Sequence, residues 1–394
     1  MQVNIIADCF KLCRGYNGAK LELPASRYAI EDALERAHVP EGGGYKLACL
    51  DNWPGFLKHK LIISGEKTLE EVNLLANQIS RMNETQLGAY EGILKLREES
   101  DIDHPISIKE LINAAYNVDI FEFHPGITDD YDLGVICMQE EMLDWIKNLP
   151  DEVFELLDEV KVGQELRRSE QGVFTSQGYV YCSSKDWKEV YDGVYLPEQP
   201  DNHIGMISLR LVSVNSTPDT DSGVWLELPA NGQVMRDAFT SLGESSFDTC
   251  VIVESKSILP ALEFVGDEDI DKLNTLAERI KAFPSRKVLT KYKAALELEA
   301  CNDLDMELDI ANNLDCYTFN DRVYGLESYA EILLQQGGIN TDDPEFNSFD
   351  FKGYGERRSQ KCGQLVTAYG CINHNINPFI LEYTKPSQSG ITIQ

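Results

Sequence analysis

Carboxylates are the side chains with most to offer in this chain, and they come in two dense blocks. Residues 101–160 hold 16 acids and 2 bases, and residues 294–350 hold 14 acids with Arg322 as the one base. In the first block Glu140, Glu141, Asp144, Asp151, Glu152, Glu155, Asp158 and Glu159 fall on helical spacing. Leu143, Trp145, Phe154, Leu156 and Leu157 supply the apolar side, and Asn148-Leu149-Pro150 divides the run into two predicted helices. Like charges at i,i+3 and i,i+4 cost about 0.2–0.5 kcal/mol each, so stacking them around the single Lys147 gives up stability for another purpose. In the second block Asp303-Leu304-Asp305-Met306-Glu307-Leu308-Asp309-Ile310 alternates acid and apolar residues. As a strand it would hold its carboxylates on one face, roughly 6–7 Å apart. At about 1.5 Å per residue, 140–159 would span roughly 30 Å, over which one strand of B-DNA carries about nine charges. The segment carries eight acids and one lysine. Its linear density is that of a phosphate backbone.

Other site chemistry is missing from the sequence. GxSxG, GxxxxGK[ST], GxGxxG after a strand and HExxH do not occur. The six histidines (His38, His59, His104, His124, His203, His374) form no metal-ligand spacing, and His104-Pro105 and His124-Pro125 read as turns. Asp303-x-Asp305-x-Glu307-x-Asp309 fails as a calcium loop, because Leu308 stands where glycine is required and Leu314 where a bidentate glutamate belongs. Carboxylate pairs for glycoside hydrolysis are too nonspecific a signal among 66 acids to carry an assignment. Ten cysteines (Cys9, Cys13, Cys49, Cys137, Cys182, Cys250, Cys301, Cys316, Cys362, Cys371) lack a CxxC pair, which reads as buried or idle thiols. No metal or other cofactor is expected.

The whole chain of 394 residues has 35 Lys+Arg against 66 Asp+Glu, a formal charge of −31. Such a surplus repels phosphate, so direct nucleic-acid binding and docking on an anionic membrane are disfavoured, and no basic patch stands out. With 43% hydrophobic residues the chain can build cores and is not a disordered acidic tail. The N-terminal Met-Gln-Val-Asn carries no leader features, and no apolar run reaches 18 residues. A cytoplasmic location is expected.

The elements that must position the acids occur twice. Leu21-Glu22-Leu23-Pro24-Ala25, followed by Ile30, Asp32, Ala33 and Leu34, returns as Leu226-Glu227-Leu228-Pro229-Ala230 followed by Met235, Asp237, Ala238 and Phe239. Leu69, Asn73, Leu75, Ala76 and Ile79 return as Ile270, Asn274, Leu276, Ala277 and Ile280, and Tyr90 returns as Tyr292. A looser echo relates Gly163, Arg167-Arg168 and Gly172 to Gly353, Arg357-Arg358 and Gly363. The join falls near the polar stretch Leu196–Asn202. Within the first copy, strands are predicted over 3–7, 20–23 and 118–123, helices over 26–37, 69–82, 84–96, 132–146 and 151–160, and β-like segments over 172–174 and 178–182. The fold class is α+β, built of small modules.

With these features in order, the chain resembles the ArdA antirestriction proteins. The resemblance rests on Trp225-Leu226-Glu227-Leu228-Pro229, on Leu273-Asn274-x-Leu276-Ala277, and on Phe349-Asp350-x2-Gly353-Tyr354-Gly355-Glu356-Arg357, with a closing β-like segment from Gly363 to Gly370. In the first half Leu21-Glu22-Leu23-Pro24 and Val72-Asn73-x-Leu75-Ala76 match, while the Tyr-Gly-Glu-Arg element is blurred to Gln164-Glu165-Leu166-Arg167. The resemblance implies an elongated chain of two tandem copies, 1–200 and 203–394. Each copy would have three modules, approximately 1–65, 66–115 and 116–200, then 203–265, 266–312 and 313–390. It implies a DNA mimic that performs no chemistry and occupies the DNA groove of a type I restriction-modification enzyme in a bacterial host, as a monomeric pseudo-dimer or a homodimer. The contact surface expected in the first copy comprises Asp119, Glu122, Asp129, Asp130, Asp132 and the eight acids from Glu140 to Glu159. In the second it comprises Glu297, Glu299, Asp303, Asp305, Glu307, Asp309, Asp315, Asp321, Glu327, Glu331, Asp342, Asp343, Glu345 and Asp350. The alternative is an acidic mimic aimed at another basic target: a CRISPR effector, a repressor or a nucleoid protein. An acidic enzyme is a third class, which would need a concave pocket with perturbed carboxylates.

Overall fold

The computed structural model describes residues 1–65, 67–197, 203–215, 223–259 and 262–384; most of the expected join at 196–202 lies outside them. Strands β1 (Gln2–Ala7) and β2 (Ala19–Glu22) alternate buried and exposed residues, because Val3, Ile5, Ala7, Ala19 and Leu21 take every second position. With β3 (Tyr45–Asp51) they form a sheet in the order β2-β1-β3. Helix α1 (Arg27–Arg36) lies between β2 and β3 and is capped by Ser26, whose Oγ accepts from the Ala29 N–H. After α2 (Gly55–Ile63) come α3 (Leu69–Ser80), α4 (Glu84–Ser100) and α5 (Ile108–Tyr116). Each of these three opens with a capping box: Thr68 with Glu71, Asn83 with Gln86, and Ser107 with Glu110.

A second antiparallel sheet, in the order β4-β6-β5, is made by β4 (Phe121–Pro125), β5 (Val173–Phe174) and β6 (Gly178–Cys182), with Phe121 opposite Cys182. Between β4 and β5 lie α6 (Asp130–Gln139), the single turn α7 (Asp151–Phe154) and α8 (Glu159–Glu170). Helices α6 and α8 meet backbone to backbone. A Cβ on Gly134 would stand 1.8 Å from the Glu159 carbonyl oxygen, and one on Gly163 would stand 1.9 Å from that of Asp130.

From residue 203 onward, β7 (Ile207–Ser213), β8 (Val224–Leu228), α9 (Gly232–Ser241) and β9 (Cys250–Ser257) give a sheet in the order β8-β7-β9. Helices α10 (Ile270–Lys281), α11 (Arg286–Leu298) and α12 (Leu304–Asn312) follow. The described chain closes with β10 (Tyr317–Asn320), α13 (Leu326–Gln336), α14 (Phe351–Cys362), β11 (Leu365–Val366) and β12 (Cys371–His374), whose sheet order is β10-β12-β11. Cis peptides precede Pro24 and Pro229, the prolines of the two Leu-Glu-Leu-Pro-Ala segments. The architecture is thus mixed α and β, with 14 helices and small three-stranded antiparallel sheets among the described residues. None of the described helices is long and apolar enough to cross a membrane.

The chain divides into two compact units. The first comprises residues 1–3, 22–24 and 48–200; the second comprises 4–21, 25–47 and 201–394. In the first, Leu133, Cys137, Ile146, Val162, Leu166 and Tyr179 form the core beneath α6 and α8. In the second, Tyr28 of α1 joins a core with Leu209, Leu226, Leu273, Tyr292, Leu308 and Ile372, and its hydroxyl donates to the Gly205 carbonyl.

Several local expectations are corrected. Residues 118–120 are a 3-10 turn and the strand begins at Phe121. The predicted helices over 132–146 and 151–160 are replaced by α6, a 3-10 turn at Ile146–Asn148, the single turn α7, and α8. Glu141 takes a left-handed φ of 46° just past α6, and Asp158 starts a new helix by accepting from the Lys161 N–H, so the acids from 140 to 159 do not share a helical axis. The Asp303–Ile310 segment is not a strand. Asp303 caps α12 through the Met306 N–H, and Leu304, Leu308 and Ala311 recur at helical spacing. The glycine of α14 that meets a neighbouring helix is Gly355, whose added Cβ would stand 2.2 Å from the Leu326 carbonyl oxygen, whereas Gly353 lies against its own cap Asp350.

Candidate functional site

In the first unit Glu140, Glu141, Asp144, Asp151, Glu152 and Glu155 are exposed on the segment that connects α6 to α8. Of these six, only Asp144 has an ion-pair partner among the described residues, Lys147 at 2.9 Å. That pair holds the Asp144 carboxyl below its usual range through the lysine's hydrogen bond and charge. Apolar side chains project alongside: Leu156 is 84% exposed and Trp145 40%, whereas Leu143, Phe154 and Leu157 pack inward. Leu156 and Trp145 are therefore surface groups here and not part of the rigid frame. The remaining acids of this block have local work. Asp129 caps α6, Asp158 caps α8 and pairs with Lys161, and Asp130 holds Arg167 through two bonds at 2.8 and 3.1 Å. Asp119 accepts from Gln86, Asp132 accepts from the Thr128 N–H, Glu122 is exposed on β4, and Glu159 is half-buried.

The second block is largely occupied within its own unit. Two of its acids are buried and leave the expected surface: Glu307 is 3% exposed and Asp309 is fully buried. Asp309 instead accepts from the backbone N–H groups of Glu382, Tyr383 and Thr384 at 2.7–3.0 Å, and Asn313 accepts from that of Ile380. Burial would raise the Asp309 pKa, but those three donors outweigh it and hold the carboxyl low. Asn113 and Asn117 tie Val190, Tyr191 and Lys188 against α5 in the same manner. Asp305 pairs with Lys272, Asp321 with Lys287 at 2.8 Å, and Glu331 with Arg14 at 3.1 Å. Glu299 accepts from the Tyr317 hydroxyl at 2.7 Å and lies 3.1 Å from His374, while Glu327 is half-buried with its Cβ close to Gly15. Asp303 and Asp350 cap α12 and α14. The acids that are exposed and whose side chains have no hydrogen-bond or ion-pair partner among the described residues are Glu297, Asp342, Asp343 and Glu345, the last three within four residues of one another; Asp315 is exposed too but accepts from Asn377 Nδ2 at 3.4 Å.

The sequence reading missed a buried ionic cluster in the second unit. Lys293 on α11 lies 2.9 Å from Asp32 and 2.6 Å from Glu35 on α1, with all three side chains nearly inaccessible. The Tyr369 hydroxyl donates to Asp32 at 2.7 Å, Arg36 pairs with the other Asp32 oxygen, and Arg286 lies 3.3 Å from Glu35. At Asp32 burial pulls the pKa up, but Lys293, Tyr369 and Arg36 pull it below the usual value; at Glu35 burial wins and the pKa rises. The signal was legible in part: Asp32 and Glu35 stand one turn apart on the α1 face that also carries Tyr28.

The expectation of no basic patch also fails. Residues 279–293 carry Arg279, Lys281, Arg286, Lys287, Lys291 and Lys293 without one acid. Half of that charge is spent inside the unit, because Arg286, Lys287 and Lys293 take Glu35, Asp321 and Asp32 as partners.

Among the described residues no group of three or more His, Cys, Asp or Glu is placed to hold a metal ion. The described cysteines are free thiols, with Cys137, Cys250, Cys316 and Cys371 buried. Chemically, then, the acidic segments offer charge and hydrogen-bond acceptors to a partner. No protein-family model matches the chain, and no curated protein matches it.

Proposed function

We propose that this protein is a stoichiometric inhibitor that presents carboxylates in place of DNA phosphates to the basic groove of a type I restriction-modification enzyme, and that it performs no chemistry. The observation that carries the reading is the segment from Glu140 to Glu155, where six carboxylates are exposed and five have no ion-pair partner among the described residues. Unpaired charge of one sign on a chain of −31 draws a basic groove at long range and speeds encounter. The exposed Trp145 and Leu156 add apolar contact area that a phosphate backbone lacks, which suits a protein partner. We read the chain as two tandem ArdA-like copies. Support comes from the succession of a three-stranded sheet with one helix, three helices, and a second three-stranded sheet, which occurs before residue 183, with α2 as an additional helix ahead of the three, and again after residue 206.

The test is a competition. A labelled duplex bound to a purified type I methyltransferase core is titrated with this protein at two salt concentrations. Displacement near one-to-one stoichiometry, weaker at the higher salt, is expected. A variant with Glu140, Glu141, Glu152 and Glu155 all changed to Gln should displace far less, while each single change should matter little because the field is shared. Absence of displacement at micromolar protein would refute the type I assignment and turn the search to another basic DNA-handling partner.

A further inference from the structure

A second feature of the first unit lies on α4 and α5, apart from the acidic connection between α6 and α8. A groove enclosing about 500 Å³ opens between these helices and the segment at 187–189. That volume falls within the range of small-molecule sites. Its floor is apolar: Ile93, Leu94, Ile106 and Ala114 are all buried. Trp187, a residue 47% exposed, forms one wall and adds a large apolar surface to it.

The polar groups around the groove satisfy one another. Arg97 donates to Glu110 at 2.6 Å and to Asp101 at 3.4 Å, Ser107 donates to Glu110 at 2.8 Å, and Lys109 pairs with Glu189. Both ends of the Asn113 carboxamide are taken by the backbone of Val190 and Tyr191. Two bases and two acids thus cancel at the lining, so the groove asks for no net charge, and the surplus of −31 on the chain disfavours an anion. Arg97 Nη1 is buried without a hydrogen-bond partner among the described residues, and because it is sealed from solvent it presents no donor to the groove.

We infer that this groove is a binding site for a flat, uncharged aromatic molecule, stacked on Trp187 over the apolar floor. A naphthalene-sized ring fits the volume.

The probe for the test is 6-propionyl-2-dimethylaminonaphthalene, a neutral naphthyl ketone whose emission shifts to the blue in apolar surroundings, added to the full chain. Saturable one-to-one binding with blue-shifted emission is expected. Trp187→Ala should weaken it at least about tenfold, the equivalent of roughly 1.4 kcal/mol of stacking. Glu189→Trp, which plugs the mouth from an exposed position, should do the same, so the test stands even if one variant fails to fold; melting curves identify which variants remain folded. Anilinonaphthalene sulfonate, an aromatic probe of similar size with a negative charge, should bind at least about tenfold more weakly. Absence of saturable binding, or unchanged affinity in the folded variants, would overturn the site. Equal affinity for the sulfonate would overturn its preference for an uncharged ligand.

Discussion

Glu307 should make this protein less stable as the pH rises toward neutrality. Its carboxyl is buried in the first turn of α12, its Oε2 has no hydrogen-bond partner among the described residues, and Glu268 and Asp303 face it with like charge. Burial first, and then those two carboxylates, push its pKa from the usual 4.5 up to about 8. A folded pKa above the unfolded one means that the native state holds the proton more tightly. The stabilisation is complete below about pH 4.5 and is lost progressively as the pH climbs to about 8. At about 1.36 kcal/mol per unit, the loss between pH 5 and pH 7 is about 2–3 kcal/mol. Glu307→Gln removes the ionisation and keeps the shape, so the variant should gain about that much on the parent over this interval, whatever its offset at pH 5. Urea unfolding followed by far-UV circular dichroism at pH 5, 6 and 7 measures the difference. Stability curves that stay parallel across this range would refute the reasoning, since they would mean that Glu307 ionises at an ordinary pH by reaching water.

Lys293→Met leaves Asp32 and Glu35 without their shared cation, and thermal melting should show a loss of about 3–5 kcal/mol, partly recovered when both acids are changed to Asn and Gln in the same chain. Gly134→Ala drives a methyl group into the Glu159 carbonyl oxygen and should cost about 1–3 kcal/mol in chemical denaturation, whereas Gly126→Ala, where nothing lies within 4 Å, should not clash but should show the smaller strain of its φ of 81°. Asp309→Ala removes the acceptor for three backbone N–H groups, so amide exchange at Glu382, Tyr383 and Thr384 should accelerate well before the core of the unit opens.

Much of the local structure was written in the sequence. Ser26, Thr68 and Asn83 announce their helices because a side-chain oxygen beside a free backbone N–H is a local matter, settled within three residues. The apolar period from Leu69 to Ile79 likewise fixes which face of α3 turns inward. Locality is also why the α12 segment misled: alternating acid and apolar residues satisfy a strand, but Asp303 as a cap with Leu304 and Leu308 one turn apart satisfies a helix equally well, and packing decided between them.

The candidate surface was legible as charge and illegible as exposure. Composition alone determined that the chain carries −31 and that two blocks concentrate it. It could not separate Glu152, which faces solvent, from Asp309, which is buried under three N–H donors, because both are acids in acidic runs. Nor could it show that Lys293 of a basic run would meet Asp32, 261 residues earlier, in a water-poor interior. Type, spacing and cap are properties of neighbours along the chain. Burial and ion pairing depend on which distant segments come together, and only the tertiary structure, where desolvation must be offset by a partner at hydrogen-bond distance, decides them.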